Sequence, residues 1–293
     1  MTLAAIILVL ISTFMHATWN LLARKQRSEM AFISKMLVFI MSIGLVPFAI
    51  GEILHPSITA RGWLLAGCSG VCGATYLYSL ARAYHLSDFT VVYPIARALP
   101  VLLVGLGDVV RGRYLTGMVW TGLILVASGC MIIPLDSFKK ISLKHYMHRS
   151  MLWMLLAATG TVGYSVFDKI ASEIISSGPG SAMKYCYLFF SFSGMIFFTT
   201  RRLIGTESQK IDQIGSKAAL LGGGCFFGSY WLVLWAFQMG RHASYVVAFR
   251  QFSIIIGVAS AFVIYKEHGV LVRIAGAVLI TTGLIIVGVF GKL

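Results

Sequence analysis

Arg97 and Arg250 each sit inside an apolar run long enough to cross a bilayer: FTVVYPIARALPVLLVGLGDVVRG over 89–112 and ASYVVAFRQFSIIIGVASAFVIY over 243–265. An arginine at a helix centre costs about 2.5–3.5 kcal/mol on biological insertion scales, so two at corresponding places require a compensating interaction. A planar guanidinium can hold a carboxylate through two parallel hydrogen bonds, which the ammonium of lysine cannot copy. A structural use is the alternative, because Pro94 and Pro100 free backbone carbonyls that Arg97 could satisfy. The second run weighs against that use: it has no proline yet keeps Arg250, with Gln251 beside it. Other residues with the chemistry to line a cavity are Trp19, Asn20, Tyr76, Tyr93, Tyr164, Tyr230 and Trp231, an aromatic and polar set suited to a zwitterion or an anion bearing a carboxylate. Aromatic residues in membrane helices also serve as packing and interface anchors. His16 and Asn20, four apart, share one helix face and fit either an interhelical hydrogen bond or a cavity wall. Lys35 and Lys184 fall early in their helices, where gating or charge pairing competes with snorkelling to the headgroups.

These side chains need a membrane scaffold to hold them. With 58% hydrophobic and 12% charged residues, the 293-residue chain carries roughly half the charge of a soluble domain. Ten runs have the length of a crossing helix: 2–23, 30–51, 62–81, 90–110, 114–135, 150–167, 179–200, 218–240, 243–265 and 270–291. Strand-like alternation is absent, so the expected fold is an all-α integral membrane bundle of ten transmembrane helices. The net charge of +14 resides in the flanking links, which argues for topology and against nucleic acid as a partner. Cys68, Cys72, Cys130, Cys186 and Cys225 lie within apolar runs without zinc-type spacing and are read as small packing residues. No metal or cofactor is expected.

The chain also repeats itself. Trp19-Asn20 matches Tyr164-Ser165 at an offset of 145, Lys35 matches Lys184 at 149, Arg97 matches Arg250 at 153, and Gly122 and Gly129 match Gly276 and Gly283 at 154. The drift is of loop size, as a duplication would leave. The division is 1–138 for the first five-helix repeat, 139–149 for a basic link, and 150–293 for the second repeat. Five crossings per repeat, an odd number, predict inverted repeats with a site between them. Links after odd-numbered helices hold 14 of the lysines and arginines, against 7 for the even-numbered links and the C-terminus, which by the positive-inside rule puts both termini outside.

The HATWNLLARK end of the first run, the basic residue early in runs two and seven, VVYPIARALPVL, VVAFRQFSIII and the Lys266-Glu267 pair together resemble the EamA family of the drug/metabolite transporter superfamily. The resemblance covers essentially the whole chain. It implies inverted repeats around a central cavity and transport of small metabolites, amino acids or drugs, often outward across a bacterial inner membrane. It also implies cytoplasmic termini, against the charge count. The chain departs from the pattern in having Val247 and Ser253 where the first repeat has Pro94 and Pro100, and Arg113 where the second has Glu267.

The expected function is therefore a secondary transporter of a small carboxylate-bearing solute, driven by an ion or substrate gradient, since no G-x-x-x-x-G-K-[ST] occurs. An intramembrane enzyme or a flippase for a lipid-linked substrate is the alternative, with a sensor or partner subunit as a third class. No H-E-x-x-H or G-x-S-x-G supports an enzyme, and Asp108 and Asp168, near helix ends, are assigned to water. The partners are the solute and the bilayer. Oligomeric state is left open, with a monomer as one option.

Overall fold

A computed structural model of the chain describes residues 2–24, 26, 28–86, 89–133, 135, 150–204, 214–265 and 270–291. The basic link 139–149 and the Lys266-Glu267 pair lie outside the described residues, as does the side chain of Tyr93. The helices are α1 (Leu3–Arg24), α2 (Glu29–Leu54), α3 (Ala60–Leu86), α4 (Phe89–Val110), α5 (Gly117–Ile132), α6 (Met151–Ala171), α7 (Pro179–Ile204), α8 (Ser216–Gln238), α9 (Ala243–Phe249), α10 (Phe252–Tyr265) and α11 (Val270–Phe290), with no strand among the described residues. Five of them, α1, α2, α3, α8 and α11, are long and apolar enough by themselves to cross a membrane. Their outward faces carry exposed apolar side chains such as Leu45, Ile53, Leu64, Leu221, Leu271 and Ile285. A water-soluble surface would not present so continuous a belt. The protein is an integral, multi-pass membrane protein.

Where side chains can stop or start a helix, they do. Ser28 accepts from the Ala31 amide at 3.2 Å to open α2, and Thr116 accepts from Val119 at 3.4 Å to open α5, each satisfying an amide that lacks an intrahelical partner. The cap at Thr116 makes α5 shorter than the run 114–135.

The ninth run is expected as one helix and is instead two. Between α9 and α10 the backbone tightens: Gln251 N bonds to Ala248 O at 2.9 Å, Ser253 N to Arg250 O at 3.2 Å and Ile254 N to Gln251 O at 2.8 Å. These are three-residue spacings, the narrower 3₁₀ pattern that often marks a functional position inside a helix. The Val247 carbonyl, skipped by this tightening, is taken by the Gln251 amide side chain at 2.9 Å. Arg250 thus sits at an irregularity that no proline or glycine announces.

Helices from the two halves pack on one another throughout: α3 on α6, α8 on α1, α5 on α11, and α2 on α7. A close backbone approach joins α5 and α11. A Cβ at Gly122 would stand 2.9 Å from Gly283 O, and one at Gly129 would stand 2.6 Å from Gly276 O. The reciprocal contacts, Gly276 to Gly129 O at 2.9 Å and Gly283 to Gly122 O at 2.5 Å, leave room for no side chain either. Pairing 122 with 283 and 129 with 276 means that α5 and α11 run antiparallel. Small residues permit such backbone contact, and close van der Waals packing drives helix association in lipid.

Candidate functional site

The two arginines converge, as their matched positions suggest. Arg97, from the middle of α4, is 7% exposed and Arg250, at the α9–α10 break, is 8% exposed. With Tyr76, Tyr164, Gln251, Thr161, Pro100 and Val247 they enclose a central cavity of about 10 Å³. That is room for about one water molecule, whereas small-molecule sites run to about 300 Å³ and more. The cavity is closed in this conformation.

The Arg97 guanidinium contacts His16 Nε2 from α1, while Trp19 Nε1 approaches His16 Nδ1 at 3.1 Å. Arginine and the indole N–H only donate, so the imidazole is neutral and its single lone pair serves one of the two at a time. Trp19 is otherwise packed, tilted against Phe226 at 4.5 Å between ring centres. Asn20 donates its side-chain amide to His16 O at 2.7 Å and so faces its own helix. A second small recess bordered by Ser12, Thr13, His16, Ser229 and Arg250 continues the polar interior toward α1.

On the other arginine, the guanidinium carbon of Arg250 lies 5.5 Å from the ring centre of Tyr230, a cation–π distance. Among the described residues no carboxylate stands within ion-pair range of Arg250. Beneath that ring, Tyr230 donates its hydroxyl to the Asp168 carboxylate, and Tyr185 donates to the other oxygen at 3.0 Å. Tyr164 completes the aromatic wall, edge-on to Tyr230 at 5.6 Å and to Tyr76 at 5.8 Å.

The two aspartates assigned to water are both buried, Asp108 at 1% and Asp168 at 0% exposure. Asp108 accepts from the Ala243 and Ser244 amides at 3.1 and 2.9 Å and from the Ser244 hydroxyl at 2.7 Å, capping α9 from α4. Each carboxylate is near the end of its own helix but beside the middle or start of another.

Three candidates fall elsewhere. Trp231 donates to Pro179 O at 2.8 Å and stacks on Trp235 at 6.4 Å, away from the cavity. Lys35 donates to Ile214 O at 2.5 Å, just before α8. Lys184 pairs with Glu52 at 2.9 Å and donates to Gly51 O and His55 O at 3.2 and 2.5 Å, at the end of α2. Neither lysine reaches the arginines; each ties its helix to a link of the other half. Lys184 also borders an apolar cleft of about 320 Å³ between α2, α7 and α8.

Past the ends of α4, α6 and α8 lies a polar vestibule of about 400 Å³. Glu173 there bridges Arg111 at 2.9 Å, Arg113 at 2.7 Å and Lys169 at 3.1 Å. Arg113 also reaches Arg241 O, and Lys169 caps α8 through Phe237 O and Gly240 O at 2.7 and 2.6 Å. Partial burial pushes the Glu173 carboxyl up, but Lys169, Arg111 and Arg113 outweigh it and hold it below the usual carboxylate range.

The apolar helices thus close around two buried arginines, Arg97 and Arg250. Residues 3–135, just under half of the chain, match the EamA-like transporter family, which is placed in the drug/metabolite transporter superfamily. Its members are transporters of small solutes rather than enzymes. None of the curated proteins matches the chain in sequence. In fold it is similar to a protein of known crystal structure, 14% identical, with a TM-score of 0.71 over 98% of this chain and 96% of the other. At that identity the likeness speaks for the fold alone.

Proposed function

We propose that this protein is a secondary transporter with ten crossings in two inverted repeats, 1–138 and 150–293, that carries a small carboxylate-bearing solute through the cavity between Arg97 and Arg250. The observation that carries the reading is the meeting of two arginines, 153 residues apart in sequence, on one small closed cavity. Arg250 supports the ligand class, because its guanidinium presents donors without a carboxylate partner among the described residues. The inverted arrangement is supported by the exchange of partners between halves. The α5–α11 glycines meet antiparallel, and Lys35 and Lys184 each bond the link between helices two and three of the opposite repeat. The cavity volume corresponds to an occluded conformation that must open to load. Outward movement across a bacterial inner membrane is the direction and setting we assign.

The test is uptake of a panel of labelled amino acids and monocarboxylates into proteoliposomes. Arg97→Lys and Arg250→Lys should each remain folded and monodisperse while transport falls at least tenfold, since a point charge replaces a fork that binds both carboxylate oxygens. Wild-type rates in both variants would return the arginines to a structural role.

A further inference from the structure

Asp168 has no part in the cavity wall, yet its surroundings are unusual for a carboxylate at membrane depth. It is fully buried. Both oxygens are held by neutral tyrosine hydroxyls, from Tyr185 and Tyr230, and the neutral Ser69 hydroxyl of α3 also faces the carboxylate. Among the described residues no lysine or arginine lies within ion-pair distance of it. A desolvated carboxylate without a cation is costly, whereas two donors favour keeping it ionised. The two terms oppose each other, which is the condition for a group that exchanges its proton during function.

The other groups facing it do not resolve that balance. Cys72 approaches from α3 and Cys186 from α7, both thiols that carry no charge as neutral groups. Lys169, next along α6, turns away to the C-terminal carbonyls of α8 and to Glu173. Among the described residues, the cation that acts on Asp168 at longer range is Arg250, which lies over the Tyr230 ring. Tyr230 therefore touches both the carboxylate and the arginine: hydroxyl to one, ring face to the other.

We propose that Asp168 is the proton-binding site of this transporter, coupled to solute at Arg250 through Tyr230. The inference rests on the transport reading above and adds the ion. The step is a proton association: the carboxylate takes one proton from water and becomes a neutral carboxylic acid, with no other bond made or broken. Its coupling has a definite sign. With the cavity empty, Arg250 supports the ionised carboxylate. A solute carboxylate on Arg250 cancels that support, so solute binding draws a proton onto Asp168, and by reciprocity protonation of Asp168 strengthens solute binding. Proton and solute then move in the same direction, so outward transport is driven by the solute's own gradient and carries a proton out with it. Adjacent to Asp168, Lys169 borders the polar vestibule, which gives water a place to approach this end of α6.

The proton itself is the probe. Infrared spectra of the full-length protein in nanodiscs, titrated from mildly acid to mildly alkaline pH, should contain a carboxylic C=O band that disappears as pH rises and is missing in Asp168→Asn. In Tyr230→Phe its midpoint should move up by about one to two pH units, because the ionised form loses a charge-assisted hydrogen bond. A wild-type protein without such a band, the same band persisting in a folded Asp168→Asn, or an unmoved midpoint in Tyr230→Phe overturns the proposal. The Tyr230→Phe titration decides if the Asn variant does not fold. In proteoliposomes offered the same labelled amino acid and monocarboxylate panel from outside, an imposed pH gradient should change wild-type uptake and leave Asp168→Asn indifferent. Transport without a titrating band defeats the proton site alone; a titrating band with no transport of any panel solute counts against the transport reading instead.

Discussion

Replacing Gly129 by alanine should loosen the seam between α5 and α11, and the amount follows from the packing. The added Cβ would lie 2.6 Å from Gly276 O, 2.7 Å from Ile280 Cγ1 and 2.9 Å from Ile280 N. Two of these three atoms are backbone and cannot rotate aside. Restoring an ordinary 3.4 Å contact to Gly276 O requires the helices to part by about 0.8 Å. Overpacking of this kind costs about 1–3 kcal/mol, while alanine returns up to about 1 kcal/mol of helix propensity relative to glycine. The clean comparison is Gly67→Ala on α3, where an added Cβ meets nothing within 4 Å. Both substitutions gain the same propensity and only one overpacks, so Gly129→Ala should be the less stable by about 1–3 kcal/mol. Titration of the purified protein from mild detergent into SDS, followed by circular dichroism, reads the difference. Gly129→Ala combined with Gly276→Ala should cost less than the two separately, because they share one contact. A Gly129→Ala protein as stable as Gly67→Ala would refute the seam and, with it, the antiparallel α5–α11 pairing.

Lys184→Met should lower stability rather than act only on transport, since it leaves Glu52 without its cation and strips two carbonyls of a donor; losing a half-buried pair with its hydrogen bonds costs about 1–3 kcal/mol, measurable in the same titration. Lys35→Met, which gives up the bond to Ile214 O, should cost less because no carboxylate is abandoned. At the vestibule, the Glu173 carboxyl is held below its ordinary value, so its ion pairs stabilise the folded state above the usual glutamate pKa of about 4.3 and are lost as pH falls through the lowered folded value. The stability of wild type relative to Glu173→Gln should accordingly be constant near neutrality and vanish in acid; a difference that grows on acidification would contradict the sign.

Much of this was legible in the residues, and the illegible part has a common cause. Arg97 and Arg250 stand out because lipid makes an ionised group conspicuous, and Gly122 and Gly129 match Gly276 and Gly283 at one offset. Neither identifies a partner. That Gly129 meets Gly276, or that Lys184 meets Glu52, depends on how helices far apart in sequence are laid side by side. Asp108 and Asp168 show the limit most clearly. Their positions near the ends of their own helices suggested water, but depth along one helix says nothing about which other helix passes there. Asp108 meets the start of α9, and Asp168 meets Tyr185 and Tyr230. The 3₁₀ turn at Arg250 was equally hidden, for it contains no residue that breaks a helix by itself.

The matched and unmatched residues divide the labour of the molecule. On the two-repeat reading proposed above, the features matched between the halves, the glycines of α5 and α11, Lys35 with Lys184 and Arg97 with Arg250, form the scaffold and the cavity. The buried acids do not recur: at the offset of 145 that relates α1 to α6, Asp168 corresponds to Ala23, and at 153 Asp108 corresponds to Ala261. Two identical halves would give the two openings of the cavity equal energies and equal ion dependence, whereas an exchangeable proton on one side of it makes them unequal. A carboxylate present only in the second half, in contact through one tyrosine with only one of the two arginines, supplies that inequality, and it predicts that the arginines will differ in their pH response. Loss of transport in Arg250→Lys should vary with pH in a way that Asp168→Asn abolishes, because Arg250 shares Tyr230 with Asp168, whereas any pH response of Arg97→Lys, which touches His16, should survive Asp168→Asn.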